Sequence, residues 1–530
     1  MNRMHYAIFT ALFVSYTSQI FGADGYRRLE GINVIHYSIG VTIDATDSVI
    51  TGETGILVEF NTDHITQVPL DFGAMVVDAV TVDGTDATYT HFDEKLTVSL
   101  PGSFSKGTRA LVTVRYHGQP RDGLFILKNK FGDRTIFADN FSNRAHHWFP
   151  GVDHPYDKAT AEYIIVAPEA FDVIANGRLM ETTNLQNHTK RTHWKTQTEI
   201  PTYCMVIGAA TFSIIHAGSW NGIPVSYYLY PEDRENGIID YERALQMLEF
   251  YSTLIGPYPY SKLALVQSTT RYGGMENASS IFFSERSIRG NKRGEGTVAH
   301  EIAHQWFGDS VTEADWHDVW LSEGFATYFG ALFFERSEGR DRFKEIMRRS
   351  RERYLRANAE SPAPIHDPGI TDLSDVLTGF HYVKGSWTLH MLRGVVGDTR
   401  FFQGIRDYYR TYRDSNAMTR DFQRIMEFHA GQSLDWFFQQ WIYNPGHPVY
   451  SLGWTWNEQT EKAVITIEQT QTGTIYRMPM ELEIYSGSTL TREKITTNGR
   501  RQSVTVSMAS APDRIVMDPD NWVLKEVIDE

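Results

Sequence analysis

The period of the hydrophobic pattern changes twice along this chain, and that change constrains the fold more than any single motif. Between residue 24 and about 215, apolar side chains alternate with polar ones at 34–43, 51–60, 96–100, 110–116, 162–166 and 203–207. Clusters of Gly, Asp and Asn divide these runs, and alternation with short spacers is the pattern of half-buried antiparallel strands. From about 238 the spacing becomes three and four, over 241–254, 296–307, 319–336, 342–357, 382–396 and 433–442, which predicts amphipathic helices. Asn444-Pro445-Gly446-His447-Pro448 closes that region, because two prolines and a glycine cannot continue a helix. Alternation then returns at 464–470, 480–485, 502–508 and 514–517. A chain of 530 residues is too long for one core in any case. The reading is a multidomain α+β protein: an N-terminal antiparallel β saddle or sandwich at 24–215, a mainly helical domain at 216–445, and a small C-terminal β sandwich at 446–530.

Residues 1–23 read differently. A basic start at Arg3 precedes an apolar run over 6–14 and then small and polar residues, with Ser18, Gly22 and Ala23 as candidate cleavage points. This is the layout of a secretory signal peptide, and the run is too short to span a bilayer. No later segment has the length and apolarity of a membrane helix, so the expectation is a secreted or periplasmic protein without an integral membrane segment. Cys204 is the only cysteine, which excludes an intrachain disulfide and a cysteine-linked lipid near residue 23. The net charge of −15 argues against nucleic acid as a partner.

The sharpest chemical signal is His300-Glu301-Ile302-Ala303-His304. Four positions apart on a helix, the two imidazoles face the same way and can take adjacent corners of a zinc tetrahedron. Glu301 stands about 100° round the helix, beside such a metal without being its ligand. Gly308 is placed to stop this helix. A lone HExxH occurs by chance in about a few per cent of chains this long, so a third ligand decides more. Glu323 follows His304 by 19 positions, at the start of the next predicted helix. Two histidines and a glutamate with one open position make a catalytic zinc pattern, whereas structural sites close with four protein ligands, mostly cysteines.

Taken with Gly273-Gly274-Met275-Glu276-Asn277 and Tyr382-Val383-Lys384-Gly385, the segments HEIAHQWFGD and WLSEGFA resemble the gluzincin aminopeptidases of the aminopeptidase N and leukotriene hydrolase type. Further similarity lies at Trp148-Phe149-Pro150, Asp157-Lys158-Ala159-Thr160 and Gln439-Gln440-Trp441, so the likeness spans roughly residues 25 to 520. It implies a thermolysin-like catalytic domain, one Zn2+ per chain held by His300, His304 and Glu323, and peptide substrates with a free N-terminal amine. Glu301 becomes the general base. Glu276 becomes the carboxylate that holds the substrate ammonium by a charge-assisted bond. Gly273, Gly274, Met275 and Asn277 complete the substrate-binding box, with the glycines letting a peptide approach as an added strand and Met275 and Tyr272 near its first side chain. Tyr382 is assigned the hydrogen bond to the developing oxyanion.

Three departures from the family pattern stand out. Relatives carry a Gln or Glu before the segment matching Trp148 that shares the amine, and here the nearest acid is the shorter Asp139. WLSEGFA has Ser322 where relatives have Asn, next to the ligand rather than among the ligands. The large helical C-terminal domain of many relatives is replaced by 446–530 alone, the short bacterial-like form, which implies a more open cleft. The other histidines, including the pair His146-His147, read as hydrogen-bonded core or surface residues. The competing readings are a thermolysin-like endopeptidase, a leukotriene-hydrolase-like enzyme and a catalytically silent peptide-binding protein.

Overall fold

A computed structural model describes residues 24–44, 46–373 and 375–529; the signal segment at 1–23 lies outside them. The N-terminal domain is built on a large sheet in which Ile32–Ile43 runs antiparallel to Ile50–Phe60, itself paired to Arg109–Gly118. Burial alternates along Ile50–Phe60, with Ile50, Ile56, Val58 and Phe60 turned inward, as two-residue spacing requires. The expected all-antiparallel arrangement fails at one place: Ile32–Ile43 pairs parallel with Lys158–Pro168, His36 opposite Thr160. More than a hundred residues and several other strands separate the two in sequence, and a parallel pair needs only such a long crossover. Two smaller sheets pack beside it, Ile65–Asp71 with Lys95–Phe104 and Tyr89–Phe92, and Arg134–Ala138 with its neighbours.

The strand Ser213–Trp220 straddles the boundary expected at 215, but it pairs with Ile223–Leu229 and so belongs to the second domain's sheet. That sheet continues through Leu263–Ser268 and Ser280–Ser284 to a two-residue edge strand, Gly274–Met275. Below its edge lie the helices Glu295–His304, Trp320–Glu338, Arg340–Glu360 and Gly379–Val396. The first is shorter than expected, ending at His304 ahead of Gly308. Gly308 is instead a turn residue at φ 120°, where an added Cβ would stand 2.4 Å from Ser322 Oγ. The glycine therefore lets the chain graze the next helix rather than capping its own.

Past the proline break, Val449–Asn457, Lys462–Gln469, Arg501–Ser507 and Glu526–Asp529 form one sheet and Met478–Ser486, Thr489–Thr497 and Arg514–Met517 the other, giving the small sandwich. Domains are joined by buried polar bonds rather than linkers. Lys158, fully buried, donates to Asp309 O, Ser310 O and Thr312 Oγ1 at 3.0, 2.8 and 3.0 Å, tying the β domain to the turn after the HExxH helix. No helix among the described residues is long and apolar enough to cross a membrane.

Candidate active site

His300 and His304 lie on successive turns of Glu295–His304, and Glu323 on the first turn of Trp320–Glu338. Their ligand atoms form a near-equilateral triangle: His300 Nε2 to His304 Nε2 2.9 Å, His300 Nε2 to Glu323 Oε2 3.1 Å, His304 Nε2 to Glu323 Oε2 3.2 Å. A point about 2 Å from all three lies just off the triangle's plane, at zinc–ligand distance. Two imidazole nitrogens this close, both turned on one carboxylate oxygen, are favourable when a cation sits between them, so the donor set fits zinc. The outer nitrogens are held as well. His304 Nδ1 faces Phe307 O at 3.1 Å and Ser322 Oγ at 2.9 Å, and His300 Nδ1 faces Thr327 Oγ1 at 3.3 Å. Such partners fix ring orientation. Ser322 was expected beside the ligands; Thr327, one turn beyond Glu323, is a contact that spacing alone did not mark.

The triangle opens into a cleft of about 720 Å³. Glu276, Glu301, Tyr382, Gly273, Gly274 and Met275 all line it. Glu276, Glu301 and His304 also offer atoms within 4.8 Å of one another, so two further carboxylates stand beside the ligand set. Gly274 is fixed by this crowding: a Cβ there would come 2.4 Å from Glu301 Oε1. A Cβ on Gly273 would meet nothing within 4 Å, and the strand Gly274–Met275 that follows it is the sheet's free edge, open to an added strand. Tyr272 is 42% exposed at the cleft and Met275 is buried in its wall.

Three buried acids in one pocket cannot all ionise without cations, and their proton affinities diverge accordingly. Burial raises Glu276 to about 7, with His304 opposing the rise and Glu323 adding to it. Burial likewise pushes Glu301 well above the usual carboxylate range; His304 counters, while Glu276 and Glu323 reinforce. Burial acts on Glu323 too, but the facing His304 and His300 outweigh it and hold this carboxyl low. The ligand acid is therefore charged, while the two acids beside it await positive partners. Burial, then Glu323, raises the Tyr382 phenol, which stays a hydrogen-bond donor. Its ring stacks on His300 with centroids 5.8 Å apart.

Two placements depend on residues with no chemical role. Gln305 Nε2 donates to Glu276 O and to Asp309 Oδ2 at 2.7 Å, and Gln305 Oε1 accepts from Ser279 N at 2.7 Å. One amide thus bolts the Glu276 loop to the HExxH helix. The helices bearing Glu323 and Tyr382 cross where glycine meets glycine: a Cβ on Gly324 would lie 2.9 Å from Gly385 Cα. Any side chain at either position would separate the phenol from the ligand set.

Two expected site residues do not reach the cleft. Asp139 is fully buried and ion-paired to Arg144 Nη2 at 2.5 Å, and it is not part of the cleft wall. That guanidinium engages Oδ1, while Oδ2 is buried without a hydrogen-bond partner, and Phe141 rather than Asp139 lines the wall there. Asn277 is buried behind the edge strand and likewise absent from the lining. Among the described residues, nothing beyond Tyr382 lines the cleft, so 446–530 contributes no wall. The basic groups that line it, Lys292, Arg293, Arg342 and Arg353, come from the helical domain.

Comparison with known proteins agrees with this anatomy. The chain matches the peptidase M1 N-terminal domain over residues 33–204 and the peptidase family M1 domain over 239–441. It is 29% identical over 405 residues to Tricorn protease-interacting factor F2 of Thermoplasma acidophilum, covering 73% of this chain and 50% of that protein. It is 24% identical over 481 residues to probable aminopeptidase 2 of Sulfurisphaera tokodaii, covering 86% and 59%. The chain thus spans little more than half the length of these curated relatives. In fold it resembles the M1 zinc metallopeptidase of Deinococcus radiodurans, with a TM-score of 0.66 and 24% identity over 78% of this chain and 94% of that one. A mutant of that protein has been solved with a Tyr-Ser-Ala substrate bound.

Proposed function

Because the chain belongs to peptidase family M1, carrying the family's two domains in order, we propose that it is a zinc-dependent aminopeptidase hydrolysing the first peptide bond of peptides with a free N-terminal amine. The observation that carries this reading is the position of Glu276. A buried carboxylate beside the ligand triangle, immediately after the free edge strand Gly274–Met275, is where a substrate ammonium would be held. His300, His304 and Glu323 would hold one ion per chain. When bound, such an ion polarises the scissile carbonyl and lowers the pKa of a water molecule. Glu301, which is not a ligand, takes the proton from the attacking water and returns it to the leaving amine. Tyr382 donates its phenol hydrogen bond to the oxygen that gains charge. The backbone of Gly273–Met275 aligns the peptide as one more strand, with its first residue against Glu276. The basic start and apolar run at 1–23 support export from the cytoplasm.

The test compares aminoacyl anilides with their N-acetylated forms. Hydrolysis of the free-amine substrates only, abolished by a chelator and restored by Zn2+, is the expected result. Equal cleavage of both forms would point to an endopeptidase, and no turnover with zinc bound would point to a silent peptide-binding protein.

The same carboxylate sets a pH dependence. An acid raised to about 7 is neutral below that value and charged above it, and only the charged form attracts an ammonium. KM for a free-amine substrate should therefore fall as pH rises through neutrality. In Glu276→Gln that dependence should vanish; if it persists, another group binds the amine.

A further inference from the structure

A second group of metal-binding side chains lies outside the cleft, in the N-terminal domain. His146 and His147 sit in the short turn Ala145–His147, and Glu94 at the tip of the hairpin between Tyr89–Phe92 and Lys95–Phe104. Glu94 Oε2 is 3.6 Å from His146 Nε2, and Glu94 Oε1 is 3.9 Å from His147 Nδ1. The three offer ligand atoms that all lie within 4.8 Å of one another.

Four features distinguish this cluster from a chance meeting of polar side chains. His146 Nδ1 is 2.7 Å from Asp153 Oδ2, which also accepts from the His146 backbone N–H at 3.1 Å. Asp153 is itself fixed, its other oxygen accepting from Thr202 Oγ1 at 3.1 Å and its N–H donating to Asp71 Oδ2 at 2.9 Å. In the neutral ring that gives Nδ1–H to Asp153, Nε2 carries the lone pair, and that nitrogen is the one 3.6 Å from Glu94. His147 Nδ1, in turn, is buried and has no hydrogen-bond partner, an expensive condition for a nitrogen that nothing occupies. Residue 73 is glycine, and a Cβ there would stand 2.7 Å from His147 Nδ1, so the space at that nitrogen exists only because the side chain is missing. Finally, the hairpin tip is anchored, with Phe72 N–H donating to Glu94 O at 2.9 Å, which holds the carboxylate above the two rings.

We propose that Glu94, His146 and His147 bind a second divalent transition-metal ion, distinct from the one in the cleft. Two imidazoles and one carboxylate suit Zn2+, Ni2+ or Cu2+, and are a poor set for Mg2+ or Ca2+, which take oxygen ligands. Ligands on a tetrahedral ion with bonds of about 2 Å stand about 3.3 Å apart, so closing this set requires a small inward shift. Glu94, half exposed, can supply its share, and rotation of the His147 ring the rest. The ion would staple the hairpin tip to the turn before Trp148.

The experiment counts metal. Protein carrying one zinc per chain is brought to equilibrium by dialysis against excess ZnCl2, and bound zinc is measured by mass spectrometry for wild type, Glu94→Gln and His147→Ala. Two ions per chain in wild type and one in each variant is the expected result, with a thermal midpoint raised by excess zinc in wild type only. Glu94 is at an exposed tip, so its variant should fold normally, and circular dichroism checks this. One ion per chain in wild type would overturn the proposal, as would two ions in both variants. Neither outcome depends on whether the cleft hydrolyses peptides.

Discussion

Glu301→Gln is expected to lower kcat by about 10³-fold, within the range that a positioned general base contributes, while bound zinc stays at the wild-type level. The substitution preserves shape, which matters because the Glu301 side chain fills the space that Gly274 leaves by lacking a Cβ. Only the capacity to take a proton is lost. Glu301 is outside the triangle of ligand atoms, so metal content should not follow the loss of rate. Burial already raises this carboxyl, which makes it a better proton acceptor in the charged form than an exposed glutamate would be. Steady-state kinetics beside metal analysis checks the expectation. A variant retaining a tenth or more of its turnover would show that Glu276 or a water chain is the base.

The second large effect is on selectivity. Glu276→Ala should reduce kcat/KM for free-amine substrates by about 10²–10³-fold, the consequence of losing one partner of a buried charged pair. Cleavage of an N-acetylated substrate should change little, so the ratio between the two should collapse. The backbone at 276 is held by Gln305 through the main-chain oxygen, so removing the side chain leaves the loop in place. An unchanged ratio would mean that the discrimination for a free amine resides elsewhere in the cleft.

Much of this molecule is legible in its sequence, and the illegible parts have physical causes. Periodicity marks strands with one wet face, such as Ile50–Phe60, because their burial alternates. It is silent about Leu263–Ser268 and Ser280–Ser284, buried at every position, where a continuous apolar run has no period to read. The helices Asp398–Tyr412 and Thr419–Ala430 lie outside the segments named from spacing, although Phe401, Ile405, Tyr408 and Tyr409 in the first and Phe422 and Met426 in the second keep a helical period. The ligand triangle follows from i,i+4 geometry and one well-spaced acid. Asp139 illustrates the opposite case. Proximity in sequence to a motif says nothing about which way a short side chain points, and Arg144 claims it. Gln305 and Gly385 carry no chemistry, so only three-dimensional contact exposes what they do.

The crossing of Gly324 with Gly385 has a further implication for control. The ligand acid and the phenol reside on separate rods that meet through bare backbone at this crossing and are fastened farther along by Tyr328 with His390 at 3.3 Å and Arg393 with Glu335 at 3.0 Å. A slide of one rod along the other would carry the phenol away from the ligand acid while every reactive group stayed intact. Loosening either of those two bonds is therefore expected to act on turnover from a distance, with every group that lines the cleft unaltered.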